Sequence, residues 1–412
     1  MENFIFKNTT TIIFGRGTID QVGVEARRYG KKVLLVYGEG FVKRTGILDR
    51  VRASLLDAPN DSAALKGIAG NDSPDDLTII EFPGTMPNPT LDHVNKGIAL
   101  CKENNIDFIL ALGGGSVIDV AKAIGVGALY DGDVWDFFDQ RAFAKRTIPV
   151  GVILTVPGTG SEASNSSVIT NNATLIKRGL TDDLIRPVFA IMDPTLAYSL
   201  SSYQTACGAA DAMSHVMERY FCATQGVDCT DRLCEALLKS LIVNGPMAIA
   251  EPDNYNVRAE ILLASKFAHD NTVGVGRTGD FSTHKLGHQL SVHYDMTHGA
   301  SVALMFLAWM RYVYKQDLDR FVKYAVRVWD VPDSLGDAEA IVKEAMALEG
   351  IKRTEDFFKS MGLPIRLSEA GIPSDKFEEM AEKATSVTGG IIGNFMKLTT
   401  ADVLEIYKIA ES

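Results

Sequence analysis

Asp211 and His215 stand four residues apart in Asp-Ala-Met-Ser-His. On a helix that spacing sets a carboxylate and an imidazole on one face, about 5–6 Å apart at Cβ. Further on, four of the chain's seven histidines, His284, His288, His293 and His298, crowd into fifteen positions. Imidazole and carboxylate are donors that divalent transition metals accept, so this density points to metal ligation rather than scatter. His284 and His288, again four apart, share a helical face. His293 lies about 900° further round from His284 and belongs to the opposite side. His298 would be about 21 Å from His284 along an unbroken helix. It can join His284 only if the chain breaks between them, and Tyr294-Asp295-Met296-Thr297 supplies turn and cap residues for that break. Spacing alone leaves their meeting open. His93, His269 and His293 read as surface or packing residues.

Two kinds of element must position these groups. Thr10–Phe14, Val33–Tyr37, Thr78–Phe82, Phe108–Leu112, Val150–Val156 and Val188–Met192 read as buried strands, most of them followed by glycine or proline loops. That rhythm predicts βαβ units and a mainly parallel sheet in an α/β domain spanning residues 1–193. From Pro194 onward strand signals stop. Ala210–Phe221, Arg232–Ile242, Val257–His269 and Asp317–Trp329 show helical spacing, which predicts an all-helical domain over residues 194–412. Residues 57–76, rich in Asp, Asn, Ala, Gly and Ser, read as a surface insertion.

Three loops in the first domain suit a nucleotide. Phe108–Leu112 runs into Gly113-Gly114-Gly115-Ser116 and then into a helix carrying Asp119 and Lys122. Glycines admit a pyrophosphate close to the backbone, and the free N–H groups of a helix start bind its charge. The loop lacks the G-x-x-x-x-G-K-[ST] pattern of a Walker motif, and packing alone would also explain it. Thr155-Val-Pro-Gly158-Thr159-Gly160-Ser161-Glu162 offers hydroxyls for phosphate or for the nicotinamide side, or is a plain turn. No G-x-S-x-G nucleophile elbow is present there. Gly38-Glu39-Gly40-Phe41 closes an early strand where an adenosine ribose would lie. A carboxylate at Glu39 would accept hydrogen bonds from the ribose diol and repel a 2′-phosphate.

Bulk properties set the setting. The 412 residues are 46% hydrophobic and 23% charged, ordinary for a globular protein. The net charge of −11 argues against nucleic acid or an anionic membrane as a partner. No signal peptide is expected from Met1-Glu-Asn-Phe-Ile-Phe, and no membrane span is expected, since no 18-residue apolar stretch is evident. Five cysteines, an odd number without a C-x-x-C pair, read as reduced thiols and suggest a cytoplasmic protein.

With these residues in order, the chain resembles the iron-containing (group III) alcohol dehydrogenases, most closely their butanol dehydrogenase and broad aldehyde reductase branch. The resemblance runs from Ile12-Ile-Phe-Gly-Arg-Gly17 and Phe82-Pro-Gly-Thr-Met-Pro-Asn88-Pro through Gly113–Ser116 and Gly158–Glu162. It continues to Asp211, His215, His284, His288 and His298. It implies a Rossmann-like dinucleotide-binding domain, an all-helical metal domain with the dehydroquinate synthase-like fold, a cleft between the two, and a homodimer. By residue matching, Asp211, His215, His284 and His298 would ligate Fe²⁺ or Zn²⁺. His288 would be the non-ligand histidine near the nicotinamide, placed to pass a proton. Cofactor contacts would fall at Gly38, Glu39, Phe41, Asn88, Gly114, Gly115, Ser116, Asp119, Thr155, Thr159 and Lys177.

The implied reaction is hydride transfer between nicotinamide C4 and a small primary alcohol or aldehyde. NADPH-using members of the family tend to carry a small residue and a hydroxyl at the positions of Glu39 and Phe41, so NAD is favoured over NADP. Lys43 and Arg44 nearby pull the other way. A glycerol-type polyol dehydrogenase is the rival within the fold. A dehydroquinate-synthase-like lyase fits less well, because its anionic substrate needs many basic residues and its ligand set differs. A non-catalytic metal-binding protein is the alternative outside enzymes.

Overall fold

The computed structural model describes residues 1–57, 77–333, 340–386 and 388–411. The insertion read at 57–76 therefore lies outside the described residues, apart from Asp57. Two compact units divide the chain, Lys7–Tyr198 and Met1–Phe6 with Ser199–Ser412. The sequence places the boundary at residue 193; in the structure the first six residues group with the helical unit. There Glu2 N–H donates to the Gly276 carbonyl, and the Glu2 carboxylate accepts from Thr224 and Thr278.

In the unit Lys7–Tyr198, strands β1 (Thr11–Phe14), β2 (Lys32–Gly38), β3 (Thr78–Thr85), β4 (Phe108–Gly113) and β5 (Val150–Leu154) join a later strand, β8 (Phe189–Met192). They form one parallel sheet in the order β1-β8-β5-β4-β2-β3. β4, β5 and β8 are buried at every residue, as expected of strands covered on both faces. The helices are α1 (Val22–Arg27), α2 (Phe41–Arg44), α3 (Ile47–Asp57), α4 (Leu91–Asn104), α5 (Gly115–Ala128) and α6 (Trp135–Phe138). Val33, Leu35, Leu110 and Leu112 cluster with Val22, Val51 and Leu55 of α1 and α3. Their alternates Leu34, Val36, Ile109 and Ala111 are equally buried and point to the other face. From β2 the chain steps outward to β3, then returns to β4 on the other flank of β2. This reversal is the topological switch point, and the C-terminal ends of β2 and β4 flank it. One hairpin escaped the sequence reading. β6 (Ser166–Asn171) pairs antiparallel with β7 (Ile176–Thr181).

The second unit holds α7 (Ser202–Tyr220), α8 (Asp228–Ala250), α9 (Tyr255–His269), α10 (Ser282–Tyr294), α11 (His298–Val313), α12 (Leu318–Trp329), α13 (Ala340–Ser360), α14 (Phe377–Ser386) and α15 (Thr400–Glu411). Ser201 and Gln204 form a capping box that starts α7. From Thr205 to Tyr220 every residue of α7 is buried, so α7 is the central helix of this unit. Two readings need correction here. The unit is not all-helical, because β9 (Ile391–Ile392) and β10 (Leu398–Thr399) make a two-residue antiparallel pair. Strands this short leave no alternating pattern to read. By length and composition α8 could cross a membrane, against the expectation that no such stretch exists; here it packs on α7 and α9.

Candidate functional site

Three helices bring the predicted donors together. Asp211 and His215 lie one turn apart on α7 and are both buried. His284 is the third residue of α10, and His298 is the first of α11. The break between those helices falls at Asp295, whose φ of 51° is left-handed, and reverses the chain within a few residues. One donor atom from each of Asp211, His284 and His298 lies within 4.8 Å of the others. A tetrahedral ion with bonds of about 2.1 Å needs donors about 3.4 Å apart. Asp211 Oδ1 already sits 3.6 Å from His298 Nε2. His284 Nε2 is buried with no hydrogen-bond partner among the described residues, a cost that a cation there would remove. The donor set therefore fits a divalent metal.

His215 stands beside this trio rather than in it. Its Nδ1 lies 3.0 Å from the Asp211 carbonyl and 3.5 Å from Asp211 Oδ1. A proton on Nδ1 shared with that carbonyl leaves Nε2 with the lone pair a metal needs. The ring centroid lies 4.6 Å from that of His284 and 4.1 Å from that of His269, which stacks on it. Burial, then the neighbouring imidazoles of His269 and His284, hold His215 well below the ordinary histidine range, so it is neutral as a ligand must be. His288 is half-buried, its ring centroid 5.4 Å from that of His298. His293 lies apart near Lys383 and Glu379; burial and Lys383 lower its pKa.

Sequence reading missed Glu218. It is fully buried on α7, seven residues after Asp211 and on the same helical face. Its Oε1 lies 2.8 Å from His284 Nδ1 and also accepts from His284 N–H and the Thr283 hydroxyl. Its Oε2 accepts from Phe281 N–H at 2.5 Å. The i, i+7 spacing was the available signal. The partner 66 residues away was not visible.

In the α/β unit the predicted nucleotide residues form three groups. Gly114 caps α5, whose first N–H groups point out of the helix start. A Cβ at Gly115 would meet the Thr159 side chain at 2.5 Å, so the two glycine loops touch. Thr155 N–H donates to the Gly113 carbonyl and joins them again. Ser116 is half-buried in the first turn of α5. Asp119 has turned inward, with one carboxylate oxygen taking Ser161 Oγ at 2.7 Å and the other Val168 N–H at 3.0 Å. Burial raises its pKa against the pull of Lys122. Its visible work is to brace the loop. Lys122, buried outright, donates to the carbonyls of Ser161, Ser164 and Ser166 and fixes the same loop from below; burial lowers it to about 8.

Asn88 and Lys177 form the second group, Lys177 Nζ donating to Asn88 Oδ1 at 2.9 Å. Gly38, Glu39 and Phe41 form the third, at the end of β2 on the switch point. Lys43 sits over the Tyr37 ring, 5.6 Å from its centroid. Tyr37 donates to Glu81, which Arg52 also grips through two nitrogens.

Comparison with known proteins meets this geometry from outside. Residues 205–410 match the family model for the C-terminal part of the Fe-containing alcohol dehydrogenase family. Residues 9–78 and 73–194 match the model for iron-containing alcohol dehydrogenase. NADH-dependent butanol dehydrogenase A of Clostridium acetobutylicum is 38% identical over 409 residues, 99% of either chain. NADPH-dependent aldehyde reductase YqhD of Escherichia coli is 34% identical over 393 residues, 93% of either chain. The crystal structure of NADH-dependent butanol dehydrogenase A from Thermotoga maritima matches with a TM-score of 0.91 at 33% identity, covering 100% of this chain and 99% of that one.

Proposed function

This chain belongs to the iron-containing alcohol dehydrogenase family, and from that premise we propose that it interconverts small primary alcohols and aldehydes with NAD(H) at a divalent cation held by Asp211, His215, His284 and His298. It is an NAD(P)-linked, metal-dependent oxidoreductase. The observation that carries the assignment of the site is the meeting of Asp211, His284 and His298 donor atoms within 4.8 Å, with His284 Nε2 buried and without a hydrogen-bond partner among the described residues.

When bound, the cation would polarise the substrate's carbonyl oxygen and the nicotinamide would supply the hydride. The chain's own residues do the rest. His215, His284 and His298 would present imidazole nitrogens, and the Asp211 carboxylate would offset part of the cation's charge. Reduction of an aldehyde requires a proton at the alcohol oxygen. His288, half-buried and beside His298, can pass one from solvent. The glycine loops 113–116 and 158–162 would take the pyrophosphate on backbone N–H groups.

Preference for NAD over NADP is supported by the carboxylate of Glu39, which follows the end of β2 at the switch point and would repel a 2′-phosphate. Both Fe²⁺ and Zn²⁺ accept this donor set. A cytoplasmic homodimer is the arrangement proposed, on family expectation; light scattering tests the dimer. Substrate class is tested by following NADH and NADPH absorbance with butanal, glyceraldehyde and dihydroxyacetone. Faster turnover of butanal supports the reading, and failure with every aldehyde would refute it.

A further inference from the structure

We infer that Glu218 is a positioning residue for the metal centre: it fixes the tautomer and orientation of His284, and thereby metal retention. The inference rests on the proposal that His284 ligates the metal.

Three fixed donors and one ring nitrogen converge on this one carboxylate. Phe281 N–H, the Thr283 hydroxyl, His284 N–H and His284 Nδ1 all point to it. With three fixed donors already on it, the carboxylate meets Nδ1 as an acceptor, which places the imidazole proton on Nδ1 and leaves Nε2 the lone pair a metal needs. Nε2 is buried with no hydrogen-bond partner among the described residues, and with Nδ1 against Glu218 it is the nitrogen His284 would offer to the grouping with Asp211 and His298. The same oxygens hold the start of α10, where Phe281 adopts a left-handed φ of 56° and gives no side-chain cap. Because Glu218 shares α7 with Asp211 and His215, it ties the third donor rigidly to the first two. Partners of this kind raise a histidine's basicity and commonly contribute about 10–100-fold in metal affinity.

Full-length, zinc-loaded protein and a competing chromogenic chelator provide the test. Glu218→Gln puts an amide where three fixed donors and His284 Nδ1 need acceptors, and should speed zinc loss about 10–100-fold. Thr283→Val removes one donor from the same carboxylate without touching the imidazole, and should stay within about threefold. The His284 Nδ1 proton resonance should shift or vanish in Glu218→Gln and persist in Thr283→Val. Should Glu218→Gln not fold, Glu218→Asp withdraws the carboxylate by one methylene and should give the same two changes. Equal zinc retention in the Glu218 variant and the parent would overturn the inference, as would equal loss in Thr283→Val, which would make Glu218 a helix anchor alone. A parent protein that binds no zinc or iron would instead refute the ligand assignment itself.

Discussion

Gly299 lies so close to Cys207 that a Cβ built on it would fall 2.1 Å from the Cys207 carbonyl oxygen. Backbone thus meets backbone where α11 crosses α7, one residue after His298 and one turn before Asp211. That approach sets His298 Nε2 at 3.6 Å from Asp211.

Gly299→Ala should therefore loosen the metal centre through packing. A carbonyl oxygen cannot yield as a side chain can, so the start of α11 must move, at a cost of about 1–3 kcal/mol. Calorimetry should show a lower Tm, and zinc titration an affinity reduced about tenfold or more. Affinity equal to the parent's would show that the crossing does not set the site.

How much of this was legible depends on whether a relationship is local. Asp211 and His215 share a helix, so their spacing announced their common face. The break before His298 was readable because Asp295 accepts a left-handed conformation. Glu218 was not, since its meaning comes from a partner 66 residues on. His269 reads in the sequence as a surface or packing residue, and it packs on the face of His215. The central strands were plain because full burial leaves unbroken apolar runs. The β6–β7 hairpin was hidden by polar residues such as Ser166, Asn171 and Lys177, and β9–β10 by their brevity.

Cofactor choice should turn on the end of β2. Replacing Glu39 with Gly and Phe41 with Ser removes the charge that repels a 2′-phosphate and adds a hydroxyl that can bind it. The NADPH/NADH ratio of kcat/KM should rise about tenfold or more, equivalent to ~1.4 kcal/mol. An unchanged ratio would discard the role given to Glu39.

His288→Ala should keep the metal and lose speed. A positioned proton carrier contributes about 10²–10⁴-fold, so turnover should fall by at least the lower figure and the pH–rate profile should change. Metal analysis checks the first part and steady-state rates across pH the second. An unaltered profile would return His288 to a packing role.

The thiols make a prediction about pH. Burial pushes Cys207 up to about 11 and Cys101 and Cys234 up to about 12, from an ordinary 9.0. At pH 8 the Cys207 thiolate is then about one part in a thousand, while Cys229 is exposed. Ellman's reagent should titrate one thiol rapidly in the native protein and five in guanidinium. Because the folded pKa values are raised, the stability these thiols contribute is full below pH 9 and is lost as pH rises through 11–12. Three or more fast thiols at pH 8 would contradict the burial.

The central claim is that catalysis needs a cation at Asp211, His215, His284 and His298. Its most direct test is NADH oxidation by butanal in protein stripped of metal and then reloaded. The stripped protein should be inactive while still binding NADH, and one equivalent of Fe²⁺ or Zn²⁺ should restore turnover. Undiminished butanal reduction by metal-free protein would contradict the account.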